Sequence, residues 1–343
     1  MLVLGIETSC DDTAAGVLRA PREVLSNEVA TQYDLHAAFG GVVPEIASRA
    51  HTERVTRVIE RAVEKAGVTM KDLDAIAVTN RPGLVGSLIV GVSAAKSLAM
   101  ALGIPMVGVH HIEAHCTAAF AEHPELDWPF LALVASGGHT ALYDCKSPGE
   151  IEVIGQTIDD AAGECFDKVA VMLDLPQPGG PSVSKLAEEG NPKAVHFPRA
   201  RVKEDPLAFS FSGVKTSVLY HLKGPGGKRD APDRENLETS YADVAASFEQ
   251  AVVDALVKRS LAAVEAKGYK DLVVGGGVAA NRRLRADLAA KAPEGVNVRF
   301  PSMGLCADNG AMIALRGAQM LEAGITDALD LDVSATGEPG ALL

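Results

Sequence analysis

Aromatic side chains are scarce in this chain. Phe, Trp and Tyr make up 4% of its 343 residues, too few for a surface that stacks bases or aromatic ligands one after another. Cysteine is scarce too: five are present, none in CxxC spacing, so neither a disulfide framework nor a cysteine-rich zinc site is expected, and a reducing, cytoplasmic setting suits the chain better. Positive charge is in deficit, with 32 Lys and Arg against 45 Asp and Glu and a formal net charge of -13. Backbone binding to nucleic acid draws on clustered Lys and Arg, so a protein that coats nucleic acid without specificity is disfavoured, although a local basic patch is not. No window is read as reaching the charge-free apolar length of a membrane span. The run MLVLGIETSCDD ends in acids and has no basic leader, so a strand is expected there and not a signal peptide. Neither the Walker pattern nor the GxGxxG dinucleotide pattern occurs.

What is present describes a compact enzyme-like globule. The apolar fraction is 47%, with 33 Gly and 18 Pro, and the length exceeds what one core usually supports, so two domains with a cleft between them are expected. Met1 to Ile6 and Ala14 to Leu18 read as strands around the polar turn Glu7 to Asp12; Pro129 to Ala135 and Ala141 to Tyr143 repeat that pattern around Ser136 to Thr140. The recurrence points to two similar domains, each opening on a hairpin. Between and after the hairpins, strands alternate with helices, the α/β signature. Helical spacing covers Glu45 to Ala66, the stretch after the Pro82 to Gly86 turn to about Ala101, His110 to about Ala121, Asp159 to Met172, Ser240 to Ala266, Ala279 to Lys291 and Ala311 to Ala323; strands are expected at Asp74 to Thr79, Met106 to Val109, Leu272 to Val274 and near Val298. Pro176 to Pro181 is expected to lie outside regular structure, and the tail beyond Asp330 to be loose. The expected division places 1–128 with 309–343 in the first domain and 129–308 in the second, with an irregular insertion at about 176–236.

His111 and His115 stand four residues apart on an expected helix, on one face and pointing the same way, so they could share one divalent ion or be two ordinary histidines. Asp308 is a candidate third ligand, since two histidines and a carboxylate make an open-sided site for iron, manganese or zinc. Glu113 is off that face, and the arrangement is not that of a metalloprotease, where Glu directly follows the first His. Glycine turns recur at Gly5 to Asp12, Ser136 to Thr140, Gly179 to Pro181, Gly275 to Gly277 and Gly304 to Gly310. Each could be an ordinary tight turn; together they suggest backbone amides around a phosphate-bearing ligand, an adenine nucleotide first. Asp11, Asp12 and Asp167 lie near these turns, where an acid orients water, an amine or a metal, and Lys168 and Lys215 are cations able to offset them.

At this point the sequence resembles the tRNA N6-adenosine threonylcarbamoyltransferases, the TsaD family, formerly annotated O-sialoglycoprotein endopeptidases. The likeness rests on the signature from Lys96-Ser97 through Leu102 to Val107 to His111-Ile112-Glu113-Ala114-His115. It continues through GIETSCD at Gly5 to Asp11, SGGHT at Ser136 to Thr140, DDAAGE and FDK between Asp159 and Lys168, and PGGP at Pro178 to Pro181. FSFSGVKT at Phe209 to Thr216, GGGVAAN at Gly275 to Asn281 and ADNGAMIA at Ala307 to Ala314 complete it. It covers nearly the whole chain. Departures are Asp12 where the family usually has Glu, Cys116 for an aliphatic residue, Gln177 for Tyr and Ala307 for Thr.

The resemblance implies the actin/Hsp70/sugar-kinase-like fold, two related α/β domains closing on a nucleotide. It implies metal ligands at His111, His115 and Asp308, the ion being Fe2+ or else Zn2+, and substrate contacts at Val134, Ala135, Ser136, Gly137, Gly138, Asp167, Gly180 and Asn281. The implied reaction moves a threonylcarbamoyl group from threonylcarbamoyl-AMP to N6 of adenosine 37 in tRNAs reading codons that begin with A. Bacterial members work with TsaB and TsaE. Within that reaction Asp11 is the candidate to orient or deprotonate the attacking amine. Arg199, Arg201 and Lys203, and Arg282, Arg283 and Arg285, are candidate tRNA contacts. Two rivals are an ATP-dependent kinase of a sugar or carboxylate and a non-enzymatic nucleotide switch; both leave the histidine pair unexplained.

Overall fold

The computed structural model describes residues 1–36, 39, 41–199, 202, 205–224 and 239–340. By its internal contacts the chain divides into two units: Met1–Phe130 with Asp144–Glu152 and Pro301–Leu343, and Leu131–Tyr143 with Val153–Phe300. The sequence reading cut the chain at 128/129 and 308/309, whereas the contacts group residues 301–308, and so Asp308, with the first unit.

The first unit opens with strands β1 (Leu2–Glu7), β2 (Asp12–Arg19) and β3 (Glu23–Thr31), then a turn of helix α1 (Tyr33–His36), helix α2 (Pro44–Lys65), strand β4 (Ala75–Arg81), helix α3 (Val85–Leu102), strand β5 (Met106–His110) and helix α4 (His111–Thr117). The sheet runs in the order β3-β2-β1-β4-β5, with β1 antiparallel to β2 and parallel to β4, and β4 parallel to β5. Side chains alternate across it. Leu4 and Ile6 of β1 join Val55, Val58, Ile59 and Val92 in one core, while Gly5 between them meets the chain's last helix, as the period of two in a strand requires.

The second unit holds most of strand β6 (Phe130–Ala135), the first half of β7 (Thr140–Ser147) and the second half of β8 (Glu150–Gln156), whose joined ends Asp144–Glu152 count with the first unit, then helices α5 (Ala162–Met172), α6 (Gly179–Ala187), α7 (Ser212–Lys223) and α8 (Tyr241–Lys267), strand β9 (Asp271–Gly275), helix α9 (Arg282–Lys291) and strand β10 (Asn297–Arg299). Its strand order, β8-β7-β6-β9-β10, repeats that of the first sheet element for element, again with parallel pairing outward from the first strand. The recurring hairpin is therefore a recurring sheet. The chain then returns to the first unit for helices α10 (Met303–Cys306) and α11 (Gly310–Glu322).

Several expectations need correction. Pro176 to Pro181 is not wholly irregular, because α6 begins at Gly179 with Pro178 as its N-cap; Pro181 lies in the first turn, where the missing N–H has no intrahelical partner to lose. The region at 176–236 thus contains α6 and α7, and residues 225–236 fall outside the described ones. The α5 helix starts three residues later than its polar leader suggested, because the Asp159 carboxylate accepts from Phe211 N, Ser212 N and the hydroxyls of Ser210 and Ser212. The tail is not loose: Ser334 N donates to Asn80 O, Gly83 N to Ala335 O, His110 Nε2 reaches Gly337 O, and Gly340 N donates to Glu113. Such backbone pairing carries no hydrophobic period, which is why the sequence hides it. Finally, α3 does meet the length and composition of a membrane span, against the sequence reading. It carries Lys96 and buries Ser87, Leu88, Gly91, Val92, Ala95 and Ala99, with β4 and α2 as its main neighbours.

Candidate metal centre

β5 runs directly into α4, and the His110 side chain makes the corner by accepting from Ile112 N through Nδ1. Every residue of α4 is buried. His111 and His115 face the same way, ring centroids 4.7 Å apart and nearly perpendicular. The third ligand, a carboxylate, comes from far along the chain. Asn309 caps α11, its Oδ1 accepting from Met312 N and its Nδ2 donating to Ala307 O, and this fixed turn sets Asp308 against the histidines. Asp308 Oδ1 lies 3.2 Å from His115 Nε2 and 3.5 Å from His111 Nε2. One ligand atom from each of the three residues falls within 4.8 Å of the others.

These residues suit a divalent ion. Ligands held at about 2.1 Å from one ion lie roughly 3.0–3.5 Å apart, which is the spacing from Asp308 to both imidazoles. The tautomer suits it too. Glu7 at the end of β1 is fully buried; its Oε2 lies 3.0 Å from His111 Nδ1 and accepts from Thr79 Oγ1, and its Oε1 accepts from Ser9 N. A carboxylate behind Nδ1 holds the proton there and turns the Nε2 lone pair toward Asp308. Sequence reasoning quoted Glu7 within a motif but gave it no role; its signal was a carboxylate ending an otherwise apolar strand.

Charge points the same way. Burial alone lowers the His111 pKa, but the carboxylates of Asp308 and Glu7 outweigh it and push it up to about 9. The carboxylates around His111 thus favour positive charge at this point. Burial holds His115 below the usual imidazole range. Asp12 at the start of β2 is pushed up to about 8, by burial first and then by Asp308, Asp11 and Glu7, and its Oδ1 is buried without a hydrogen-bond partner. His51 holds this turn, joining Thr13 Oγ1 and Cys10 O, and Asp11 is half-buried on it.

A consequence for pH follows. A carboxyl near 8 folded and near 4 unfolded binds more protons in the native state, so the metal-free protein loses stability as pH rises through that window, by about 1.4 kcal/mol per pH unit at most. Asp12→Asn is expected to flatten this part of the curve in urea titrations run with chelator between pH 5 and 8. An unchanged slope would remove Asp12 from the electrostatics of the centre.

The remaining expected site residues lie in the second unit. Val134 and Ala135 are fully buried on β6, leaving only backbone to meet a ligand, while Ser136 is half-buried and Gly137 and Gly138 are exposed. A Cβ added at Gly137, Gly138, Gly180 or Gly277 would meet nothing within 4 Å, so these turns are open as an amide cradle requires. Gly5, Gly16 and Gly310 are different: they are packed against backbone, and the ligand-cradle reading of the Gly5 and Gly310 turns gives way to close packing. Asp167 Oδ1 accepts from Gly179 N, next to Gly180. Asn281 caps α9 through Leu284 N and donates from Nδ2 to Glu249 Oε1 and Ser184 Oγ. Glu249, almost wholly buried, was not foreseen.

The basic clusters are engaged within the chain. Arg199 pairs with Asp254, Arg282 with Glu188 and Arg283 with Glu249, and Arg285 donates to Ala279 O and lies over Phe300. Arg201 and Lys203 lie outside the described residues. Lys215 and Lys168 both pair with Asp160.

A model of the family described as TsaD, tRNA N6-adenosine threonylcarbamoyltransferase, matches residues 23–315. The chain is 51% identical over 334 residues to the tRNA N6-adenosine threonylcarbamoyltransferase of Geotalea uraniireducens (strain Rf4), covering 97% of this chain and 95% of that protein. Among solved structures it is similar to HypF of T. kodakarensis, with a TM-score of 0.62 at 17% identity over 94% of this chain and 48% of that one. It is also similar to component A of the Acidaminococcus fermentans (R)-2-hydroxyglutaryl-CoA dehydratase, with a TM-score of 0.55 at 15% identity over 95% of this chain and 100% of that one. At such identities these two structures speak for the fold alone.

Proposed function

The chain belongs to the TsaD family of tRNA N6-adenosine threonylcarbamoyltransferases, and from that premise we propose that it transfers the threonylcarbamoyl group of threonylcarbamoyl-AMP to N6 of adenosine 37 in tRNAs reading codons that begin with A, releasing AMP. The observation that carries the reading is the cluster of His111, His115 and Asp308 beside Glu7. These three residues would hold one divalent ion, Fe2+ before Zn2+, since two imidazoles and a carboxylate with open positions form the donor set of non-haem iron. The bound ion supplies a Lewis acid to polarise the carbamoyl group or anchor the threonyl carboxylate.

The chain's own groups do the rest. Glu7 keeps the proton on His111 Nδ1, Asp11 orients the adenine amine or accepts its proton, and Val134 to Gly138, Asp167, Gly180 and Asn281 bind the adenylate. The two related units are read as an actin/Hsp70/sugar-kinase-like fold. The protein would act in the cytoplasm without a membrane, with TsaB and TsaE as partners if bacterial. Peptidase chemistry is disfavoured because Glu113, the acid between the histidines, is tied to Arg316 in a buried ion pair and has no free role as a base.

The test combines the purified protein with its partners, threonylcarbamoyl-AMP and unmodified tRNA, and follows the modified adenosine by mass spectrometry. Product that depends on both the protein and its metal supports the reading. Absence of product, or full activity after metal is stripped, overturns it.

A further inference from the structure

Helix α4 spans only His111–Thr117, short of the roughly 12–15 residues below which an isolated helix is marginal in water. Its geometry must be imposed from outside. His111 and His115 occupy one face, and Glu113, two residues on, is turned by about 200° to the opposite face. There Glu113 Oε2 accepts two hydrogen bonds from Arg316, at 3.0 Å from Nε and 2.7 Å from Nη2. Glu113 Oε1 accepts from Gly340 N at 2.7 Å, and Arg316 Nη2 also donates to Pro148 O at 2.5 Å. Both residues are 3% exposed.

The position of Arg316 gives the pair its meaning. It lies on α11, the helix that begins two residues after Asp308. One element thus brings a carboxylate to the histidine face of α4 and a guanidinium to the opposite face. We propose that the Glu113–Arg316 pair is a positioning device for the metal centre, the strut that fixes the distance between the histidine pair on α4 and Asp308 at the head of α11.

Energetics favour a geometric role over a purely stabilising one. Two charges removed from water gain little over well-packed apolar residues of equal volume. What the pair adds is direction, because two N–H groups of one planar guanidinium converge on one oxygen. The ties to Gly340 and Pro148 hold each partner from behind, so the strut cannot swing without breaking buried hydrogen bonds.

This inference rests on the metal reading given above, and the experiment separates the two. Metal-stripped protein is titrated with Zn2+ in competition with a chromophoric chelator, and with Co2+ for its visible spectrum, in the wild type, Glu113→Gln, Arg316→Lys and Ile59→Ala. Ile59 belongs to the core that includes α2 and serves as a control that lowers the melting temperature without touching α4. Glu113→Gln is expected to weaken Zn2+ by about 10–100-fold, as outer-shell partners of metal ligands do, and to alter the Co2+ bands. Arg316→Lys keeps the charge but not the planar fork and should fall in between, which leaves the idea testable if Glu113→Gln fails to fold. Ile59→Ala should bind as the wild type does. Wild-type affinity and spectrum in Glu113→Gln or Arg316→Lys overturn the strut, as does equal weakening in Ile59→Ala. A wild-type chain that binds neither ion overturns the metal reading itself.

Discussion

Replacing His115 by alanine is expected to remove stoichiometric metal and to lower threonylcarbamoyl transfer by more than about 100-fold, beyond the 10–100-fold that outer-shell changes cause. The side chain is completely buried, its Nε2 is 3.2 Å from Asp308, and its Nδ1 has no hydrogen-bond partner. That combination is informative. The engaged nitrogen is the one aimed at the ligand cluster, as metal ligation requires, while Nδ1 lacks the carboxylate that supports His111. Truncation to alanine therefore costs packing, of the order of 1–3 kcal/mol, and leaves a folded protein without a centre. Metal content by mass spectrometry and modified adenosine in the reconstituted reaction are the two readouts, with circular dichroism as the check on folding. Normal transfer by a metal-free, folded His115→Ala protein would sink the site. Chelation of the wild type should give the same loss, and the ion that restores activity best, iron(II) or zinc, names the native metal.

The centre was legible in part because its determinants are local. The i,i+4 spacing of His111 and His115 is a property of one helical turn, and a Gly-rich turn containing Asp308 stands out in any sequence. The family motifs then joined Asp308 to the pair, which spacing alone could not do across nearly the whole chain. The repeated hairpin at Met1 to Leu18 and Pro129 to Tyr143 pointed to two similar domains, because alternation and tight turns are short-range signals, and the structure adds that the two sheets share one strand order. Three things were hidden. Strands β3 and β8 lie at sheet edges, where polar residues such as Glu28 and Glu152 blur the alternation. The tail beyond Asp330 is held by backbone hydrogen bonds and by the His110 and Glu113 side chains, with only Leu331 and Val333 reaching the core, too few apolar residues to show a period. Glu7 and Glu113 are carboxylates whose roles depend on what folds against them, an imidazole in one case and a guanidinium from α11 in the other. A buried charge is visible in sequence only through its partner, and here both partners come from far along the chain.

Alanine at Gly310 is expected to damage folding and metal binding together. The helix α11 does not rest on β1 and β2 through side chains at this point, but backbone to backbone. A Cβ built on Gly310 falls 2.2 Å from Ala15 C and 2.3 Å from Gly16 N; one on Gly5 falls 2.2 Å from Gly310 O and 2.3 Å from Ala314 N. Neither partner is a flexible side-chain tip, so relief requires moving a strand or the helix by an ångström or more. Overpacking that only displaces side chains costs about 1–3 kcal/mol, and displacing backbone belongs at or above the top of that range. One kcal/mol shifts the melting temperature by roughly 2–4 °C in chains of about 150–250 residues and by less in a longer one, so a fall of several degrees is expected. Because Asp308 precedes Gly310 by two residues, the same shift draws the carboxylate away from His111 and His115, so metal affinity should drop in whatever protein still folds. Gly304→Ala is the control: it lies on the same return segment, its added Cβ meets nothing within 4 Å, and its effect should stay within about 0.5 kcal/mol. Equal melting temperatures for the two variants would mean that α11 can slide over the sheet. The close approach of α11 to β1 and β2 could then not be what registers Asp308 against the histidine pair.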